Sequence, residues 1–152
     1  MNPESEPFWK TKTLQEITRL EWESLCDRCG VCCLHRLKNG TTGKVYFTSV
    51  ACRFLNIEQC VCTIYNDSAR NCLKINPQNV RRFRWLPKTC AYRLISENKQ
   101  LACWHPLVSD NFNTVHEAGI SVRQKVISET SIHLDNLEEY MVKKPFTVLL
   151  IP

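Results

Sequence analysis

The eight residues from Cys26 to Cys33 constrain this chain more than any other feature, because they contain two overlapping C-x-x-C pairs that share Cys29. A two-residue spacer lets both sulfurs of a pair converge on one metal ion while amides at the turn donate hydrogen bonds to thiolate. Gly30, directly after Cys29, is able to adopt the positive φ that such a turn often needs. The motif therefore predicts thiolate ligation of a metal.

The remaining cysteines enlarge this set beyond one simple site. The chain has ten cysteines in 152 residues, and nine lie between positions 26 and 90, whereas a closed tetrahedral zinc site uses four. Because Cys32 and Cys33 are adjacent, their side chains diverge and suit two ligand sets. We expect two four-cysteine sites or one polynuclear cluster. The predicted ligands are Cys26, Cys29, Cys32, Cys33, Cys52, Cys60, Cys62, Cys72 and Cys90.

The spacing leaves the metal open between zinc and an iron-sulfur cluster. Cys26, Cys29 and Cys32 match the first three cysteines of the bacterial ferredoxin run, but the x3-Cys-Pro ending is missing. Zinc accepts sulfur-only ligands and needs no particular fourth spacing. His35 is a weaker ligand candidate because nine thiols compete with it. Cys103 has no near partner and is predicted to be a small buried hydrophobe.

Length and composition predict one domain over residues 1–152, with a cysteine-rich core at 26–90 and a supporting segment at 104–152. A chain of this size buries most of its surface without needing disulfides. No apolar stretch approaches the roughly 18–20 residues that cross a bilayer, so no membrane is expected. The segment Met1–Pro7 lacks the features of a secretory signal. We therefore expect the cytoplasm, where thiols stay reduced and many cysteines favour metal or redox roles over disulfides.

The predicted fold class is α+β, with short helices and a β-hairpin around a cysteine-ligated metal site. Asn39–Gly43 is a turn-rich stretch, and we expect it to join strands at Leu34–Leu37 and Lys44–Ser49. Val45 and Phe47 would face one side of the second strand, with Tyr46 and Thr48 on the other. Residues 52–72 have no sustained period and are expected to wrap the site as a loop.

Helices are predicted from capping and spacing patterns. Thr13-x-x-Glu16 and Thr18-x-x-Glu21 both fit the capping box, so one or two short helices should lead into Cys26. Pro87 would interrupt a continuous helix and so separates two short ones. The remaining predictions are helices at Asn79–Trp85, Cys90–Asn98 and Ile132–Met141, and a strand at Ile120–Arg123.

A basic segment calls for an anionic partner. No acidic residue occurs from Ser68 to Ser96, and the cations there are Arg70, Lys74, Arg81, Arg82, Arg84, Lys88 and Arg93. Phe83, Trp85 and Tyr92 interleave with them, which is a pattern typical of nucleic-acid binding. A zinc ion with four thiolates also carries negative charge that nearby cations would stabilise. We favour this internal role, and nucleic acid is the less favoured partner.

The cysteines determine which classes of function the sequence supports. No G-x-S-x-G, H-E-x-x-H or Gly-rich phosphate loop occurs. The favoured function is a metal-binding protein that chelates zinc or an iron-sulfur cluster. One alternative is a redox or electron-transfer enzyme with a surplus thiol such as Cys33 as its working group. Another is a metal-stabilised nucleic-acid-binding module using Arg81–Trp85. The sequence leaves open whether the protein is an enzyme and whether it has a protein partner.

Several segments besides the cysteine motif carry a family resemblance. They are Phe8–Leu14, Glu21–Cys26, Val45–Thr48, Ala51–Arg53, Leu55–Ile57, Cys60–Cys62, Trp85–Pro87, Thr89–Arg93, Trp104–Leu107 and Ile120–Arg123. With these residues the sequence resembles the YcgN-type bacterial cysteine-cluster proteins, within the wider YkgJ-like group of zinc- or iron-chelating domains. The resemblance implies metal chelation.

Within that wider pattern, one cysteine is followed three positions later by tyrosine, which here is Cys62 with Tyr65. The resemblance makes Cys72 the last member of the wider set and places Cys60 and Cys90 in the narrower YcgN-like pattern. Cys103 and the C-terminal Val148–Pro152 depart from it, and neither departure touches the predicted ligands.

Overall fold

The computed structural model describes residues 5–64 and 74–142. They belong to two compact units, Met1–Asp27 with Lys74–Thr114, and Arg28–Leu73 with Val115–Pro152. The described residues form short helices, a hairpin and a small mixed sheet, which confirms the α+β class. In the part of the chain that is described, no helix is long and apolar enough to cross a membrane.

The first unit is helical. Its elements are α1 (Phe8–Thr11), α2 (Arg19–Ser24), a 3-10 turn (Val80–Arg82), α3 (Ala91–Ser96) and α4 (Pro106–Ser109). The predicted capping box starts α2: the Thr18 hydroxyl accepts from the Glu21 backbone N–H at 3.2 Å, and the Glu21 carboxylate accepts from the Thr18 N–H at 2.9 Å. These bonds satisfy two amides that lack partners in the first turn.

The other predicted capping box, Thr13-x-x-Glu16, lies at a turn and does not begin a helix. The Glu16 carboxylate accepts from the Thr13 backbone N–H at 2.7 Å, yet residues 14–16 form only a turn. Leu14, the first residue of the turn, and Ile17, directly after it, are both buried in the core of the unit. Only one of the two capping-box bonds therefore forms here, because the Thr13 hydroxyl donates to the Glu16 carboxylate, and α2 is the one helix that a capping box starts among the described residues.

The core of the first unit gathers apolar side chains from both of its sequence segments. Trp22 is central to it: its indole Nε1–H donates to the Ile75 carbonyl at 2.9 Å, and its ring centroid lies 4.7 Å from that of Tyr92. The core residues are Leu14, Ile17, Trp22, Leu25, Val80, Leu86, Ala91, Ile95 and Leu101. Burial of this apolar surface is the main term that holds α2 and α3 together.

The second unit contains the predicted hairpin. Strand β1 (Leu34–Lys38) runs antiparallel to β2 (Val45–Ala51). In the turn, the Asn39 N–H donates to the Lys44 carbonyl at 2.8 Å, and Gly43 adopts φ +71°. The hairpin and its turn-rich connection were thus correctly predicted from the sequence, with strand ends that differ from the predicted ones by one or two residues.

Further short strands extend this unit. They are β3 (Leu55–Asn56), β4 (Val61–Cys62) and β5 (Ile127–Ser128). The first two pair antiparallel with each other, whereas β5 lies parallel to the end of β2. The loop predicted at 52–72 therefore contains a small two-stranded sheet, and its residues 65–72 lie outside the described part. Strand β2 is buried on both faces, since Phe47 and Thr48 are both buried.

Other predicted elements were shorter or absent. Asn79–Trp85 is the 3-10 turn Val80–Arg82, Cys90–Asn98 holds α3, and Ile132–Met141 holds a 3-10 stretch, Leu134–Tyr140. The strand predicted at Ile120–Arg123 is wrong, because these residues make no ladder. Helical elements that were not predicted include α1, α4, α5 (Thr114–Glu117) and 3-10 turns at Val31–Cys33 and Glu129–Ser131.

Candidate metal centre

The cysteine motif turns sharply at its middle. Gly30 has φ +78° and precedes the 3-10 turn Val31–Cys33, whose last amide, that of Cys33, donates to the Gly30 carbonyl at 3.1 Å. Positive φ costs glycine little but strains any residue with a Cβ. The prediction that Gly30 takes this conformation is confirmed, and the turn sets the spacing between Cys29 and Cys33.

Gly30 also leaves the space that the sulfur of Cys60 fills. A Cβ placed on Gly30 would lie 2.8 Å from Cys60 Sγ and 2.7 Å from a methyl carbon of Val122. Both distances are shorter than real contacts of a Cβ, so Cys60 Sγ rests directly on the Gly30 backbone. The absent side chain is therefore what lets Cys60 approach the motif.

The carbonyl of Cys29 joins the same contact. Cys60 Sγ lies 3.5 Å from the Cys29 oxygen as a thiol donor, and the Val122 backbone N–H donates to that oxygen at 2.8 Å. Cys60 is 1% exposed and has φ +57°, which turns its side chain inward just before β4. Val122 explains the missing strand at Ile120–Arg123, because its amide bonds to the cysteine turn and not to a neighbouring strand.

A second backbone contact joins Cys33 and Cys52. The Cys52 N–H donates to the Cys33 carbonyl at 2.8 Å, at the open end of the hairpin where β1 begins and β2 has just ended. Both side chains are half-buried. Cys62 is also half-buried and pairs through its backbone with Leu55 in the sheet of β3 and β4. The second unit thus holds Cys29 beside Cys60 and Cys33 beside Cys52.

A buried carboxylate supports the hairpin end. Glu129, whose side chain is 10% exposed, accepts from the Arg53 backbone N–H at 2.7 Å and from Arg53 Nε at 3.2 Å. Its other oxygen lies 2.9 Å from His35 Nε2. The Arg53 backbone N–H holds the pKa of Glu129 below its ordinary value, against the opposing effect of burial. His35 is thus engaged with a carboxylate.

Glu129 was not predicted from the sequence. Its partners lie 76 and 94 residues away along the chain, and Glu129 belongs to no metal or catalytic motif. Only the parallel pairing of β5 with the end of β2 brings it beside Arg53. No local signal in the sequence could have identified it.

Three cysteines lie in the first unit, two of them predicted ligands and the third outside the predicted ligand set. Cys26 follows α2 and is half-buried; Cys90 precedes α3, packs against the core, and its N–H donates to the Pro87 carbonyl at 3.0 Å. Cys103 is exposed, so the prediction that it is buried was wrong: it occupies a surface turn before α4. Cys72 and Tyr65 lie outside the described residues.

His105 is a buried structural residue. It is 1% exposed, its Nδ1 accepts from the Leu107 N–H at 3.0 Å, and its Nε2 lies 2.8 Å from the Leu25 carbonyl. Because Nδ1 is an acceptor, Nε2 carries the proton and donates a hydrogen bond to the Leu25 carbonyl. His116 Nδ1 lies 2.6 Å from the buried hydroxyl of Ser121, and burial lowers the pKa of His116. Neither ring takes part in the cysteine contacts.

The donors of the second unit suit a soft metal. Six of its described cysteines belong to the predicted ligand set, and thiolates are the ligands that zinc and iron-sulfur clusters share. These cysteines range from the buried Cys60 to the exposed Cys32. Among residues 5–64 and 74–142, no three cysteine, histidine or acidic side chains are grouped closely enough to hold a metal ion. The donor chemistry fits, and the backbone contacts bring the cysteines together in pairs.

Comparison with known proteins gives one family. The family model CxxCxxCC, described as "Putative zinc- or iron-chelating domain", matches residues 25–91. A UPF0260 protein of Rhizobium etli (strain CIAT 652) is 52% identical over 145 residues, which cover 93% of this chain and 92% of that protein. A UPF0260 protein of Rhodopseudomonas palustris (strain HaA2) is 47% identical over 149 residues, covering 95% and 88%. No solved structure matches this chain.

Proposed function

This chain belongs to the UPF0260 family, and on that premise we propose that it is a metal-chelating protein whose cysteine thiolates bind zinc or iron. The contact of Cys60 Sγ with the Gly30 backbone is the observation that carries the proposal. It joins cysteines 31 residues apart in the sequence, and it depends on a glycine at φ +78°. A buried thiol aimed at a C-x-x-C turn is what a thiolate site needs.

The residues that would hold the metal are the cysteines of the second unit. Cys29 and Cys60 form its buried side, and Cys33, Cys52 and Cys62 are half-buried. Cys26, Cys72 and Cys90 remain members of the predicted ligand set. A metal bound by the cysteines of the second unit would hold their sulfurs as thiolates and cross-link parts of that unit that are distant in sequence. The finer assignment to the YcgN-type branch also remains part of this proposal.

The cytoplasm is the proposed compartment, because thiolate ligation requires cysteines that are kept reduced. A reduced pool of this size would lose its ligands to oxidation in a secreted protein. The proposal therefore predicts that the same chain, exported to an oxidising compartment, retains less metal.

The test is metal content after anaerobic purification. We expect at least one zinc or iron ion per chain, measured by mass spectrometry, together with acid-labile sulfide if the group is an iron-sulfur cluster. Less than one metal ion per chain, with all thiols open to alkylation, would overturn the proposal.

Two variants sharpen this test. Cys60→Ser should lower the metal content, whereas Cys103→Ser should not, since Cys103 lies in an exposed turn outside the predicted ligand set. Because Cys60 is buried and its replacement affects packing, the half-buried Cys62→Ser serves as a second variant. Equal metal content in all three variants would contradict the proposed ligands.

A second candidate, a redox or electron-transfer protein, is favoured by the exposure of Cys32 beside the half-buried Cys33. An exposed thiol next to a metal-bound one is accessible to a reaction partner. In this case the purified protein should absorb visible light and bleach reversibly with dithionite. Tightly bound colourless zinc would exclude the iron-sulfur form of this candidate.

A further inference from the structure

A surface cavity of about 350 Å³ lies in the first unit, between the 3-10 turn Val80–Arg82 and α3. This is near the lower end of the roughly 300–1,000 Å³ typical of small-ligand sites. None of the cysteines within residues 5–64 and 74–142 lines the cavity, so it is separate from the described cysteines. Its lining residues are Val80, Arg81, Phe83, Arg84, Arg93, Ser96 and Glu97.

The walls of the cavity are held in place by hydrogen bonds. Arg93 Nη1 donates to the Arg84 carbonyl at 3.1 Å and to the Leu86 carbonyl at 2.5 Å. These bonds connect α3 to the irregular segment that follows the 3-10 turn. Val80, 2% exposed, anchors the turn in the core. These contacts hold the backbone around the cavity in place, so a ligand would have to order only the exposed side chains that line it.

The charges that line the cavity are unequal. Glu97 is already compensated: Arg93 Nε lies 2.9 Å from one carboxylate oxygen and Lys99 Nζ lies 2.9 Å from the other. Hydrogen bonds from Lys99 and Arg93 keep the pKa of Glu97 below its ordinary value. By contrast, Arg81 and Arg84 are exposed, and among the described residues neither forms an ion pair. A net positive charge is thus left facing solvent.

The chemistry of these walls selects a ligand. A guanidinium group matches the geometry of a phosphate, to which it can donate two hydrogen bonds. Phe83 adds a half-buried aromatic wall, fixed edge-on against Trp85 with ring centroids 5.9 Å apart. A phosphate with a planar or apolar group would use both features. Glu97 limits the positive region on one side, which suits one phosphate better than a chain of phosphates.

We propose that this cavity is a binding site for a small organic phosphate, with Arg81 and Arg84 on the phosphate and Phe83 against the organic part. The two exposed arginines supply charge, and the aromatic wall distinguishes an organic phosphate from the bare ion. This site is independent of the metal and exists whether or not the cysteines bind one.

The experiment is calorimetric titration of the full chain with phenyl phosphate, with inorganic phosphate as the comparison probe. We expect saturable binding of phenyl phosphate and weaker binding of inorganic phosphate. The double variant Arg81→Gln with Arg84→Gln should weaken phenyl phosphate binding by at least about tenfold, because two charge-assisted contacts are lost. Phe83→Leu should reduce the preference for phenyl phosphate over inorganic phosphate.

The matched control is Arg82→Gln with Lys88→Gln, which removes two exposed charges from the same segment but none from the cavity lining. Phenyl phosphate binding should stay within about twofold in this control. An equal loss in both double variants would show a diffuse charge effect and overturn the proposal. So would the absence of saturable binding, or binding of a single-stranded oligonucleotide by a protein that does not bind phenyl phosphate.

Discussion

The carboxylate of Glu129 accepts a 2.7 Å hydrogen bond from the backbone N–H of Arg53, the residue directly after Cys52. The same carboxylate reaches His35, two residues after Cys33. The Cys52 N–H in turn donates to the Cys33 carbonyl at 2.8 Å. One buried side chain therefore braces both chain segments that carry these two cysteines.

Replacing this carboxylate should weaken the second unit. We expect Glu129→Ala to lower the free energy of unfolding by about 1–3 kcal/mol, because the Arg53 backbone N–H and guanidinium lose the charged acceptor that they share. Urea denaturation followed by circular dichroism measures this loss. Glu139→Ala, at an exposed position, is the control and should change stability by less than about 0.5 kcal/mol. Equal stability of the two variants would show that Glu129 does not brace the hairpin end.

A side chain at Gly30 should also be costly. Gly30→Ala forces an L-residue to φ +78° and places a Cβ 2.8 Å from Cys60 Sγ. The left-handed conformation alone costs about 1–2 kcal/mol, and the clash adds to it. We therefore expect a loss of at least about 2 kcal/mol in the free energy of unfolding.

The control for Gly30 is Gly40→Ala, since a Cβ at Gly40 meets nothing within 4 Å. Its urea midpoint should stay close to that of the parent protein. Alkylation of Cys60 provides a second readout, because displacing its sulfur from the Gly30 backbone should speed reaction with iodoacetamide in Gly30→Ala alone. A Gly30→Ala protein that is as stable as Gly40→Ala would disprove the close contact.

Local chemistry explains which parts of the fold could be predicted. The Asn39–Gly43 turn fixes a hairpin through residues that tolerate positive φ, and Thr18 with Glu21 fixes a helix start through two hydrogen bonds three residues apart. Gly30 was predicted for the same reason. In each case the residues that determine the structure are neighbours in the sequence.

The parts that were missed depend on distant contacts. Val122 looked like part of a strand, but its amide bonds to Cys29, more than ninety residues earlier. The pairing of Cys60 with Cys29 required both the positive φ of Cys60 and the absence of a Cβ at Gly30. The sequence identified the cysteines as a set, and only the fold shows which of them adjoin.

The buried His105 should contribute strongly to the first unit. Both ring nitrogens make hydrogen bonds, to the Leu107 N–H and the Leu25 carbonyl. His105→Leu fills the space with an apolar side chain of similar size but leaves both backbone groups without a partner, so we expect the free energy of unfolding to fall by about 1–3 kcal/mol. Thermal unfolding measures it. His133→Leu, at an exposed position, is the control, and an equal effect of both would contradict the assigned role.

The loss of folding stability at acid pH should depend on Glu21. Its carboxylate accepts from Lys12 Nζ at 2.7 Å and from the Thr18 N–H, and these bonds, that of Lys12 foremost, hold the pKa of Glu21 below its ordinary value. A lowered pKa in the folded state means that the carboxylate stabilises the fold above its unfolded pKa. That stability is lost as the pH falls through the lowered value.

Glu21→Gln should therefore lower the urea midpoint at pH 7 and flatten its fall below about pH 4, since the variant has no proton to take up there. Midpoints measured from pH 7 down to pH 3 give this comparison. The control is Glu58→Gln, at an exposed position where no side-chain hydrogen bond is formed with the described residues; it should follow the parent curve. If Glu21→Gln follows the parent curve as well, the bond between Lys12 and Glu21 adds nothing to the stability of α2.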